Sequence, residues 1–167
     1  SNENEDDQFD WTEGWVGTNE YWYGKEGRSK GNRGIEADNN SSNHTLTPIA
    51  NPTIRYATLI GLGKDYVGEG ENQAMKLRVG TKGKFENFVL ANWAKGIDIE
   101  HDATISWIPN DLFLKNVQFI NVGVEATGKS SAGTAVDVSK AYAKADNTGA
   151  GNGVDTPTWA KGWTVGL

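Results

Sequence analysis

Residues 97–102 (IDIEHD) hold a dense cluster of chemistry-bearing side chains, with Asp98, Glu100, His101 and Asp102 inside five positions. On a strand, alternation puts Asp98 and Glu100 on one face. Hard carboxylate oxygens with a single imidazole suit calcium better than zinc, so Asp98, Glu100 and Asp102 are candidate calcium ligands. The same acids have a plainer reading as a solvated or ladder-forming strand face. Asp65, Glu69 and Glu71, among the glycines of residues 61–72, are a second calcium candidate, although they lack the D-x-[DN]-x-[DN]-G spacing. Acid–base chemistry on a polysaccharide needs paired carboxyls, one with a pKa raised by burial, and Asp10 with Glu13 or Glu36 with Asp38 could supply them. Trp11, Trp15 and Trp22 could stack on sugar rings or fill a core.

Two further features invite chemistry that their surroundings deny. Residues 123–130 (GVEATGKS) satisfy the phosphate-loop pattern. Yet Glu125 would face phosphate oxygens, and too little chain follows Ser130 for the parallel sheet that completes a nucleotide site. No nucleotide is expected there, only a glycine-rich surface loop. His44 lies in a polar insertion with no partner in sequence, and the sequons beginning at Asn39, Asn40 and Asn43 mark that insertion as exposed.

Composition removes other classes. The chain has 167 residues, no cysteine and a net charge of −6. Disulfides, thiolate catalysis and cysteine-based zinc or iron–sulfur sites are excluded. Nucleic acid is not an expected partner, since phosphate binding needs a basic face. Calcium or a neutral glycan is easier to accommodate. Nothing approaches the roughly 20 apolar residues of a membrane helix, so the chain is not expected to span one.

The elements that must position these residues are short strands. Twenty-one glycines, many Asn and Asp, and no long helical periodicity give an all-β class. Phe9-Asp10-Trp11, Ile35-Glu36-Ala37, Leu77-Arg78-Val79, Ile97-Asp98-Ile99 and Val136-Asp137-Val138 share the order apolar, charged, apolar. A second series aligns residues 55–59, 86–90 and 115–119 at steps of 31 and 29. Unequal steps on a constant strand core fit a parallel β-helix better than a sandwich. Ala57, Phe88 and Val117 should then stack inside, with Leu59, Leu90 and Phe119, while Thr58, Val89 and Gln118 face out. Glu36, Arg78 and Asp98 should form a charge ladder across coils, and Asn87 and Asn116 an amide ladder. Residues 1–8 read as a flexible acidic tail and 9–167 as the β-helix, with the segment after Thr134 as a further strand.

With DDQFDWTEGW, NRGIEADN and WAKGIDIEHD in view, the chain resembles a family of surface-exposed Gram-negative bacterial proteins, often lipoproteins, within the pectate-lyase-like superfamily. The resemblance implies a right-handed parallel β-helix, an extracellular or outer-membrane location, and a chain that is the C-terminal part of a longer one. It brings no catalytic residues. The lyases of the superfamily use an Arg or Lys base beside carboxylates, and no Arg-x-Pro-x-x-Arg pattern is present. The expected function is a non-enzymatic structural or adhesive surface module, the alternative a carbohydrate-active or glycan-binding β-helix. A missing N-terminal segment or another subunit should cover the first coil, whose open strand edge and apolar end are otherwise an association hazard.

Overall fold

The computed structural model describes residues 1–2, 6–27, 32–67, 71–162 and 164. Among the described residues ten strands alternate between two parallel sheets. β1 (Phe9–Trp11), β3 (Arg33–Ala37), β5 (Gln73–Leu77), β7 (Lys95–Glu100) and β9 (Val124–Lys129) form the first sheet in that order. β2 (Thr18–Lys25), β4 (Thr53–Ile60), β6 (Gly83–Ala91), β8 (Leu112–Ile120) and β10 (Tyr142–Lys144) form the second. Each coil contributes one strand to each sheet, and every strand pairs in parallel with its counterpart one coil away. The architecture is a parallel β-helix.

Columns of like side chains explain why this sequence winds. Ile35, Met75 and Ile97 stack in the first sheet, as do Ala37, Leu77 and Ile99, all fully buried. Ala57, Phe88 and Val117 align across the second sheet, and Leu59 lies beside Leu90 and Phe119. All of these but Phe119, which is half-buried, lie in the core. Tyr21, Tyr56, Asn87 and Asn116 occupy one column at φ 57–61, so a single left-handed residue breaks the pleat of every long strand. Ile54 and Ala57, three residues apart on β4, would face opposite sides in a regular alternation, yet both are buried, because the break at Tyr56 flips the faces by one residue. Asn tolerates that conformation best, and Asn116 Nδ2 donates to Asn87 Oδ1 at 3.0 Å.

The structure corrects several expectations. Glu36 is level with Lys76, not Arg78, and Lys76 is level with Asp98. Met75-Lys76-Leu77 and Leu77-Arg78-Val79 satisfy the same pattern two residues apart, so alternation does not separate them. The left-handed φ of 42° at Val79 ends the strand and decides the register. Asp98 pairs onward to Thr127, so residues 124–129 are a strand, with ladder pairing to β7, rather than a surface loop. Val136-Asp137-Val138 lies outside the ladder, before a 3₁₀ turn at Ser139–Ala141. A short helix, α1 (Asp102–Ser106), follows β7 where no helix was expected.

The N-terminal residues are docked rather than free where they are described: the Ser1 ammonium donates to the Tyr23 carbonyl, and Gln8 N to the Arg33 carbonyl at 3.0 Å. Thr58 and Val89 do point away from the core but are buried, because the segment 147–153 crosses that face. Ala150 N donates to Thr58 Oγ1, whose hydroxyl donates to the Gly153 carbonyl, both at 3.0 Å. Asn39, read as part of an exposed sequon, is 1% exposed. Its amide donates to the His44 and Leu46 carbonyls and accepts from Ala50 N, organising the insertion from within.

Candidate functional site

The outer face of the first sheet carries a continuous row of charges whose positions follow from strand alternation. The central column runs Asp10, Glu36, Lys76, Asp98, Thr127. Lys76 Nζ lies 3.1 Å from Asp98 Oδ2 and 2.9 Å from Glu100 Oε1, with the three side chains 8%, 4% and 13% exposed. Asp98 also accepts from Thr127 at 2.7 Å and faces Lys95 at 3.4 Å, and Glu100 meets Lys129 at 2.8 Å. Burial alone would raise the Glu100 carboxyl, but the hydrogen bonds and charges of Lys129 and Lys76 hold it down at about 2.

One coil earlier, Arg78 is level with Asp38 and bonds it through Nε at 2.8 Å and Nη2 at 3.2 Å. Arg78 also reaches Glu36, which accepts from Arg33 at 2.5 Å. Arg33, buried, continues to Asp7 at 3.4 Å and Glu71 at 3.5 Å. Burial pushes the Asp7 carboxyl up to about 6 against the Arg33 charge. Glu26, buried next to Gln8, is raised by burial to about 7.

The calcium candidates are thereby separated. Asp98 and Glu100 share Lys76, while Asp102, at the head of α1, exchanges hydrogen bonds with Ser131 at 3.1 and 3.2 Å. Asp65 pairs with Lys64, Glu71 with Arg33, and Glu69 lies outside the described residues. Among the described residues no group of three or more His, Asp or Glu is arranged to hold a metal ion. His101 accepts from Val79 N through Nδ1 at 3.2 Å, and its ring meets His44 edge-on at 4.7 Å, so His44 has a partner that sequence separation concealed.

The tryptophans gather at the first coil. Phe9 and Trp22 stack at 4.2 Å, Trp11 and Trp15 lie 5.6 Å apart and Trp15 and Trp22 6.5 Å apart, lining a hollow of about 610 Å³ with Gln8 and Asp10. Trp11 is buried and packs on Phe85 of the core, while Trp15 and Trp22 are half-buried. Their rings are thus shared between core packing and the hollow.

Three features escaped sequence reading. Lys76 was hidden by the two-residue degeneracy. A second amide ladder, Asn121 Nδ2 to Asn92 Oδ1 at 2.8 Å, repeats the 29-residue step of Asn87 and Asn116, and that step was its signal. A sign-alternating column, Glu20, Arg55, Glu86, Lys115, crosses the second sheet at 3.4, 3.8 and 3.0 Å.

No helix among the described residues is long and apolar enough to cross a membrane. No curated protein and no solved structure matches the chain. Residues 1–164, nearly the whole sequence, match the family described as the pectate-lyase-like beta helix domain. Two parallel sheets wound coil on coil, stacked asparagines and a charged outer strand face accompany that match, and the chain belongs to the pectate-lyase-like β-helix domain family.

Proposed function

We propose that the chain is a non-enzymatic β-helix module of the cell surface or extracellular space, akin to the bacterial surface proteins its rhythm resembles. One observation carries this reading: the acids at the centre of the first sheet are spent on cohesion, with Lys76 buried between Asp98 and Glu100. A carboxylate held near pKa 2 by two lysines is a poor proton donor or acceptor at neutral pH. Nor do Asp98 and Glu100 offer a dication an open seat, and the reading includes no resident calcium. The aromatic end at Phe9, Trp15 and Trp22 takes a further coil, from the same polypeptide or another subunit, rather than a sugar.

A second reading, a carbohydrate-active β-helix, is favoured by the neighbouring cluster. Asp10, Glu36 and Asp38 lie together beside Arg33 and Arg78, three carboxylates next to guanidinium groups. Incubation with polyuronates and neutral glucans distinguishes the two. The scaffold gives neither a rise in ultraviolet absorbance from unsaturated product nor new reducing ends. Turnover that disappears in Asp38→Asn would overturn it in favour of the second reading.

A further inference from the structure

We propose that the segment after β10, residues 145–160, is a clasp that ties the last coil to the first, so that the stack opens as one unit instead of fraying coil by coil. This goes beyond the surface-module reading and holds equally if the first sheet does chemistry. A wound stack is otherwise held by contacts between neighbouring coils alone. Its end coils, with one neighbour each, should then open first. The ends here are slight: β1 has three residues, and β10 has three with a register shift against β8.

Past β10 the chain turns back across the outer face of the second sheet and meets its long strands in reverse order. Ala145 N donates to the Val117 carbonyl of β8 at 3.1 Å. Asn147 Nδ2 donates to the Asn116 carbonyl of β8 at 2.8 Å and to the Phe88 carbonyl of β6 at 3.2 Å. The Thr58 hydroxyl of β4 accepts from Ala150 N and donates to the Gly153 carbonyl, 92 and 95 positions away. Ala150 packs with Tyr23 of β2 and Ile60 of β4 in a small apolar cluster separate from the main core. Trp159 donates through Nε1 to the Ala150 carbonyl at 2.6 Å and lies edge-on to Tyr21 of β2 at 6.5 Å. One segment thus touches β8, β6, β4 and β2, a span of three strand spacings or about 14 Å.

The sequence of the segment suits that path. Asn147 Oδ1 accepts from Gly149 N at 2.8 Å and turns the chain onto the face. At Gly149 a Cβ would lie 2.8 Å from the Ala57 carbonyl oxygen and 2.9 Å from Val89 Cγ2, so only a bare backbone lies this close to the strands. Thr58, Val89 and Ala150 have no exposed surface, and the bonds among them are dry. Buried polar groups of this kind cost their full desolvation when the partner leaves. Peeling off the first coil strips Ala150 and Trp159 of their seat, and lifting the segment breaks bonds to β4, β6 and β8. Opening at either end is therefore charged to the whole stack.

Hydrogen exchange of the full chain, read by mass spectrometry on peptides covering β2 and β6, tests the clasp. In the parent both should exchange through one opening, with protection within about tenfold of each other. Trp159→Ala removes the ring against Tyr21, and Thr58→Val keeps the shape while deleting both bonds on β4. Each should speed exchange in β2 about 100-fold and in β6 by less than about tenfold. Lys129→Gln, on the first sheet, should not separate the two peptides. Unchanged protection of β2 in both variants would overturn the proposal, because the segment would then be a passenger. An equal loss in β2 and β6 would overturn it too, since the coils would open together without the segment, as would a parent in which β2 already exchanges far ahead of β6.

Discussion

Replacing Lys76 with Met removes the one cation that Asp98 and Glu100 share, while its length and apolar stem are kept. Breaking a buried ion pair by deleting one partner costs about 3 to 5 kcal/mol. Here Asp98 retains Thr127 at 2.7 Å and Lys95 at 3.4 Å, and Glu100 retains Lys129 at 2.8 Å, which places the loss at the lower end, about 3 kcal/mol. In a domain of this size that corresponds to a melting temperature lower by roughly 6 to 12 °C. Lys76→Met combined with Asp98→Leu should recover much of the loss, since a buried pair exchanged for apolar groups is often neutral. Carboxyl titration by NMR supplies a second readout: Glu100, held near 2 in the parent chain, should rise toward the ordinary glutamate range in Lys76→Met and stay low in Arg78→Met. A Lys76→Met protein that melts with the parent, or in which Glu100 does not move, would refute the argument that desolvated charge binds these coils together.

Other consequences are checked by simpler measurements. Asn116→Ala loses both the bond to Asn87 and a residue suited to φ 57°, and should cost about 2 kcal/mol in chemical denaturation, with Asn116→Gly costing clearly less. Gly149 has φ 54°, and a Cβ there would lie 2.8 Å from the Ala57 carbonyl oxygen; Gly149→Val should therefore lift the 147–153 segment and open it to limited proteolysis, leaving the coils folded. Burial, aided by His44 and Arg78, holds His101 below its ordinary pKa, so its stabilising contribution is present above about pH 6.5 and lost as pH falls through the lower folded value. Asp7 and Glu26, raised by burial, act with the opposite sign in the same window, so the check is the difference in melting between the parent and His101→Gln, which should narrow from pH 7 to pH 5. Millimolar calcium should leave the melting temperature where chelator leaves it, and a rise of several degrees would show that Lys76 yields Asp98 and Glu100 to the metal.

Alternation and spacing alone determined the winding of this protein. Residues 55–59, 86–90 and 115–119 recur as strand cores, and a strand's two-residue period then dictates which of them face inward, so Ala57, Phe88 and Val117 could be stacked on paper before their neighbours were known. Asn87 and Asn116 were legible for the same reason. Only the tertiary structure decided between Lys76 and Arg78, because a slip of two residues keeps every side chain on its own face and leaves the pattern intact; the turn at Val79 is what resolves it. It also decided what covers Thr58 and Val89, which neighbour His44 meets, and that Tyr21 and Tyr56 share a left-handed column with asparagines. Those relations join residues tens of positions apart through turns of unequal length, and no local periodicity encodes them.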